Sequence, residues 1–229
     1  TILLHKKYLE LLFSEGPELQ GRKFVQGFWR VLESWFLPRL KKTYTVSQSI
    51  ADFYNKKYHT KMGVIRNVPV LNRKVTAVTA KFPTTNKTVL YQGVLNPGRG
   101  IKPMIKALHL LGGVDLIIIG YGKVEEELVN FAKAEGLEDR VRFLGRIPHE
   151  ELPNYTKLAD VGMVLEEPLG LSFEYSLPNK LFDYIHAELP IVSGDLTEIK
   201  KVIEKYKVGL VVEDYSPKTI ADAISKLLH

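Results

Sequence analysis

From Lys87 onward the chain repeats one pattern: a short apolar run, a turn of small or polar residues, then a stretch with helical spacing. The runs are "TVLYQG", "VDLIIIG", "VRFLG", "ADVGMVL", "PIVSG" and "GLVVE". Helical patterns lie between them at about 100–111, 123–136, 149–158, 179–187 and 196–206. A last one covers "SPKTIADAISKLLH", where Pro217 suits the first helical turn. Strands that alternate with helices of about ten residues predict a doubly wound parallel α/β sheet. The run "LIII" is apolar throughout, as a strand covered on both faces must be. In such sheets ligands bind beyond the carboxyl ends of the strands, so the loops there are the places to look for chemistry.

The first 73 residues read differently. "RKFVQGFWRVLESWFLPRLKK" carries Phe24, Phe28, Val31, Trp35 and Leu32, Phe36, Leu40 at helical spacing. This stripe is broader than a surface needs, which predicts burial within a first domain. "TYTVS" and "MGVIRNVPV" read as short strands, and "SQSIADFYNKKY" as a helix with Ser47 or Ser49 near its start. "LNRKVTAVTAKFPTTNK" has no period and reads as a linker. The expected division is therefore 1–73 and 74–229. Charge divides at the same place: residues 1–73 hold 13 Lys/Arg against 5 Asp/Glu, the remainder 19 against 21. A basic segment on a near-neutral body fits an anionic neighbour or a solvated surface. No apolar run reaches the roughly 18 residues of a membrane span, and the first residues lack a signal-peptide pattern. Cysteine is absent, which excludes disulfides and thiolate metal sites and fits a cytoplasmic protein.

Three loops stand out. "GVLNPGRG" has the Gly93-to-Gly98 spacing of a phosphate-binding P-loop, but the cation is Arg99 and Gly100 replaces the hydroxyl residue that would hold magnesium. Gly98 and Gly100 permit close backbone approach, and Arg99 offers bidentate contacts to phosphate. On these residues alone the stretch reads either as a phosphate site or as a Gly/Pro turn with a surface arginine. "IIIGYGKVEEEL" places Gly120 and Gly122 at a strand end, but Glu125, Glu126 and Glu127 follow where a dinucleotide fingerprint needs glycine and no negative charge. The third loop is "EEPLGLSFEYSLPNKLFDYIHAELP". Pro178 opens a helix there, with Asn179 and Lys180 in its first turn. A lysine at that end opposes the helix dipole, so an anion is expected beside it. Asp183, one turn on, suits hydroxyl groups such as those of a ribose. No Asp-x-Asp pair, metal-spaced histidine pair or G-x-S-x-G elbow is present.

At these residues a family pattern emerges. "GYGKVEEELVNFAKAEGLEDRVRFLGRIPHEELPNYTKLADVGMVL" resembles the C-terminal domain of the retaining glycosyltransferases called group 1, which have the GT-B fold. "SLPNKLFDYIHAELPIVSGDLTEI" is similar to a Pro-Asn-Lys variant of their donor-site segment. "KTYTVSQSIADFYNKKY" and "VIRNVPV" resemble the end of their N-terminal domain, so the likeness runs from about residue 20 to 229. It implies a Rossmann-like donor domain plus part of an N-terminal α/β domain, since the partner domain would need ~150–200 residues. It implies that Gly98, Arg99, Gly100, Asn179 and Lys180 hold a donor diphosphate without metal, and that Asp183 binds its ribose. Gly120, Arg146, Ile147, Tyr175, Leu177 and Pro178 would lie near the donor's sugar or base, Glu174 near a catalytic position, and His5 near a sugar-contacting histidine.

The chain departs from the family pattern in three ways. A second basic residue is replaced by Val94. The first of two glutamates eight apart is Tyr175, with Glu174 beside it. A Phe-Gly that presents amides is Leu177-Pro178, and Pro178 has no amide hydrogen to give. The function implied is metal-independent, retaining transfer of a sugar from a nucleotide-diphosphate sugar to a glycan or lipid-linked acceptor. The basic, Trp-bearing N-terminal segment fits peripheral membrane contact at the inner face. The alternative is a donor-binding module without transferase activity of its own. Nucleic-acid binding has no aromatic-basic strand motif to support it.

Overall fold

The computed structural model of the chain describes residues 22–69 and 81–229. The described residues divide into two compact units: 22–68 with 168–177 and 196–198, and 69 and 81–167 with 178–195 and 199–229. Most of the expected linker and the candidate His5 lie outside the described residues.

The larger unit is the doubly wound sheet. Its strands are β3 (Lys87–Gln92), β4 (Val114–Ile119), β5 (Val141–Gly145), β6 (Val161–Val164), β7 (Ile191–Gly194) and β8 (Gly209–Val212). They pair in the order β5-β4-β3-β6-β7-β8, every pair parallel. All six apolar runs read from the sequence are strands. The connecting helices are α3 (Ile101–Ala107), α4 (Glu125–Ala134), α5 (Leu152–Thr156), α7 (Asn179–His186), α8 (Thr197–Tyr206) and α9 (Pro217–Leu228). Every residue of β4 is buried, as its apolar stretch from Leu116 to Ile119 requires. The charge of Asp115 within it meets Asn86 Nδ2 at 3.0 Å and Arg140 Nε at 4.0 Å.

The strand order reverses between β3 and β6, where Val89 stands opposite Val161 and Leu90 opposite Gly162. A strand-order reversal of this kind is where a ligand crevice is expected, at the carboxyl ends of the strands. Gly162 matters to this junction. A Cβ there would lie 2.6 Å from the Tyr184 ring, so its absence lets α7 settle on the sheet. Tyr184 is fully buried; its hydroxyl accepts from Gln92 N at 3.0 Å and donates to Leu90 O at 3.2 Å. Burial pushes its pKa well above 10, so the hydroxyl keeps the proton it donates.

The smaller unit contains α1 (Lys23–Phe36), the two-residue parallel pair β1 (Tyr44–Thr45) and β2 (Gly63–Val64), α2 (Gln48–Tyr58) and α6 (Leu171–Glu174). Ser47 caps α2 by accepting from Ile50 N at 3.4 Å. Ile50, Ala51, Tyr54, Tyr58 and Met62 form its core, with Leu171 and Tyr175 against them. The short helix α6 was not legible in the sequence; it starts at Gly170, whose φ of 137° few other residues adopt.

The burial expected of the α1 stripe is not found among the described residues: Phe24, Phe28, Val31 and Trp35 are exposed. What α1 buries is Glu33, whose Oε2 accepts from Tyr58 Oη at 2.6 Å. That hydrogen bond joins α1 to α2.

Candidate functional site

The loop after β3 is shaped by its glycines. Gly98 and Gly100 both have positive φ, 79° and 65°. Gly100 is also pressed against the end of β6: a Cβ there would lie 2.7 Å from Leu165 Cβ and closer still to the Leu165 carbonyl oxygen. Glu167 N donates to Gly98 O at 2.9 Å, which ties the same two loops together. The loop's other flank rests on the loop after β4. Gly93 N donates to Ile119 O and Leu95 N to Tyr121 O, each at 2.9 Å. Gly120, with φ of 148°, is in such close contact with Gly93 that no side chain fits there. Its glycine thus serves loop-to-loop packing.

At the crevice these loops gather two cations on one carboxylate. Glu166, the second residue after β6, is 1% exposed. Its Oε1 lies 2.8 Å from Lys180 Nζ and 3.2 Å from Arg99 Nη1. Lys180, in the first turn of α7, is 8% exposed, and its Nζ sits 4.1 Å from the centroid of the Tyr91 ring. Tyr91 is itself locked by donating to Val94 O at 3.0 Å. Tyr215 donates to the Glu166 backbone carbonyl and holds that residue from the β8 side. The anion that the sequence calls for beside Lys180 is therefore supplied, in this state, by the chain itself. Beside this cluster is a pocket of about 270 Å³ lined by residues 96–102 with Val124, Glu127, Leu128 and Glu167.

One turn along α7, Asp183 Oδ2 accepts from Gln92 Nε2 at 3.0 Å, and Gln92 Oε1 lies 2.8 Å from Thr156 Oγ1. Burial raises the Asp183 pKa above the usual carboxylate value, opposed by the Gln92 hydrogen bond and by His149 and His186. A half-buried carboxylate with one oxygen committed to an amide suits the acceptance of hydrogen bonds from neutral hydroxyls.

Gly98, Arg99, Gly100, Lys180 and Asp183 thus come together around the ends of β3 and β6. Asn179, exposed, and Pro178 open α7 beside them. Arg146 and Ile147 follow β5, with the Arg146 guanidinium 5.3 Å from the centroid of the Tyr121 ring. Glu174, Tyr175 and Leu177 belong to the smaller unit. There Glu174 Oε1 accepts from Thr197 N at 3.2 Å and from the Thr197 hydroxyl, so it caps the start of α8. Tyr175 packs on the α2 core. Sequence reasoning missed Glu166, Gln92 and Tyr91. The signal for Glu166 was a charge that ends the apolar run "VGMVL". Among the described residues no three His, Cys, Asp or Glu are grouped to hold a metal ion.

Residues 73–229 match the family model described as "Glycosyl transferases group 1". Among curated proteins, the chain is 30% identical over 146 residues to a GDP-mannose-dependent alpha-(1-6)-phosphatidylinositol monomannoside mannosyltransferase of Mycobacterium tuberculosis, covering 62% of this chain and 38% of that protein. It is 29% identical over 146 residues to the alpha-D-kanosaminyltransferase of Streptomyces kanamyceticus, covering 61% and 36%. The chain thus spans well under half the length of these relatives. Among solved structures, Anabaena HepE in complex with UDP and glucose superposes with a TM-score of 0.75 at 19% identity, over 96% of this chain and 61% of that one. The sucrose-phosphate synthase of Thermosynechococcus elongatus gives 0.74 at 19% identity, over 93% and 56%. At such identities these two show a shared fold, that of GT-B glycosyltransferases.

Proposed function

Because this chain belongs to the group 1 glycosyl transferases, we propose that it binds a nucleotide-diphosphate sugar and serves transfer of that sugar to a glycan or lipid-linked acceptor. The observation that carries this reading is the gathering of Arg99 and Lys180 at the strand-order switch point, one from the loop of β3 and one from α7. Arg99 offers a planar guanidinium and Lys180 an ammonium, both of which suit charge-assisted hydrogen bonds to phosphate oxygens. Two cations that meet the diphosphate as it leaves stabilise the charge that develops there, the task a divalent ion performs in other transferases. The transfer is accordingly proposed to need no metal and, following the family, to retain the anomeric configuration. Asp183, fixed by Gln92, takes the ribose hydroxyls, and Gly120, Arg146 and Ile147 serve the vicinity of the donor's sugar or base.

The mannosyltransferase relative is named for a phosphatidylinositol-linked acceptor and the HepE structure for UDP and glucose. These support a lipid-linked or glycan acceptor and a pyrimidine or purine donor here. The open stripe of Phe24, Phe28, Val31 and Trp35, on a basic segment, supports peripheral contact with an anionic membrane face. Among the described residues no helix is long and apolar enough to cross a membrane. The second reading is a donor-binding module inactive by itself; the chain's coverage of only 34% to 40% of its curated relatives favours keeping it.

Calorimetric titration with UDP, GDP and ADP and their sugar conjugates, with and without EDTA, tests the donor reading. Saturable binding of one base class, unchanged by EDTA, is expected; no binding at millimolar ligand would contradict it. Turnover assayed on the same chain then separates enzyme from module.

A further inference from the structure

Glu166 is a buried carboxylate at the end of β6 with no assigned role. Its carboxylate is buried, its backbone is tied on one side to Tyr215 and, through Glu167, on the other to Gly98. Among the described residues its Oε2 has no hydrogen-bond partner, so both ion pairs run through Oε1. An anion fixed in this way adds nothing to a phosphate site by contact. It repels the ligand. What it does change is the site's charge: Arg99 and Lys180 together supply two positive charges, and Glu166 removes one.

We propose, building on the donor reading above, that Glu166 is a positioning residue that sets how strongly the site distinguishes nucleotide-sugar donor from nucleoside-diphosphate product. The diphosphate of a nucleotide sugar is a diester with about two negative charges. The nucleoside diphosphate left after transfer carries about three near neutral pH, since its free terminal phosphate ionises near pH 6. A doubly cationic site would favour the product by its extra charge and release it slowly. With Glu166 beside the cations, that excess attraction is roughly halved. The carboxylate also lets a lysine and an arginine approach one another in a largely buried place, which two bare cations resist.

A purely structural ion pair would alter the affinities of donor and product together; a charge-setting residue alters their ratio. The test is calorimetry on the full chain with UDP and UDP-glucose, and with GDP and GDP-mannose. Glu166→Gln is expected to raise the ratio of the donor's Kd to the product's Kd about tenfold, the part of a close charge–charge term that survives solvent and salt. Glu166→Asp is expected to restore the wild-type ratio. A ratio unchanged in Glu166→Gln overturns the proposal. Should Glu166→Gln fail to fold, Arg99→Gln serves. There Glu166 balances Lys180 alone, and the preference for product is expected to fall toward none; a persistent preference overturns the proposal. If the wild-type chain binds none of the four ligands, the donor reading fails and this inference with it. Wild-type binding with a fixed ratio overturns the Glu166 role alone.

Discussion

The placement of Arg99 depends on Gly100, and replacing that glycine with alanine separates two effects the structure superimposes there. The first is backbone conformation. Gly100 has φ of 65°, and a residue with a Cβ held in this left-handed region costs about 1–2 kcal/mol. The second is contact. An alanine Cβ would stand 2.7 Å from Leu165 Cβ and nearer to the Leu165 carbonyl, backbone that cannot turn aside as a flexible side chain would. Relieving such overpacking costs about a further 1–3 kcal/mol. Gly100→Ala should therefore destabilise the chain by about 2–5 kcal/mol. Gly113 is the internal control: its φ is 66°, yet nothing lies within 4 Å of the position its Cβ would take. Gly113→Ala should cost only the conformational part, about 1–2 kcal/mol. Urea unfolding of both variants, with midpoints compared at equal slope, reads the difference. If the two variants are equally destabilised, the loop of β3 is not braced on β6 as described, and the account of how Arg99 reaches Glu166 fails.

Asp160 receives Lys87 Nζ at 2.7 Å and Thr88 N at 2.8 Å. Burial alone would raise its pKa, but these partners hold it below 3.8. Its stabilising effect is thus present above pH 3.8 and lost as pH falls through the lower folded value. Asp160→Asn should cost about 1–3 kcal/mol at pH 7 and flatten the acid limb of the stability curve, measured by urea titration from pH 7 to pH 2. Asp183 has the opposite sign: its raised pKa means stability declines as pH rises from 3.8 through the folded value. Asp183→Asn should therefore not lower the unfolding midpoint at pH 7, should weaken UDP or GDP binding, and should spare inorganic diphosphate; equal loss for both ligands in calorimetry would contradict the ribose assignment. Glu174→Gln keeps an oxygen for Thr197 and should change stability by no more than about 0.5 kcal/mol and turnover by less than tenfold. A loss of a thousandfold would place this carboxylate in the chemistry.

The sheet was legible because its strands must be apolar on both faces, so six runs from "TVLYQG" to "GLVVE" stood apart from the helical patterns between them. The glycines of "NPGRG" were legible as a loop needing close approach, and Lys180 as a residue in breach of a helix rule. The strand order itself, which brings Arg99 and Lys180 to one place, rests on pairings that no local pattern records. Glu166 stayed hidden for a related reason: a carboxylate in a sequence reads as surface, and only the two cations it meets, 67 residues before it in one case, explain its burial. Gln92 read merely as a residue near the end of a strand. The apolar stripe of α1 misled, because the helix buries Glu33 against Tyr58 and leaves Phe24 and Phe28 exposed.

Arg99 and Lys180 are proposed to take the place of a metal at a donor diphosphate. The most direct measurement is the calorimetric affinity of the preferred nucleoside diphosphate in EDTA for the wild-type chain and for Arg99→Ala. A wild-type signal unaffected by EDTA, weakened in Arg99→Ala by about 1.5–3 kcal/mol, the worth of a hydrogen bond to a charged group, is what the account predicts. An equal dissociation constant for the two chains, or binding abolished by EDTA in the wild type, would contradict it.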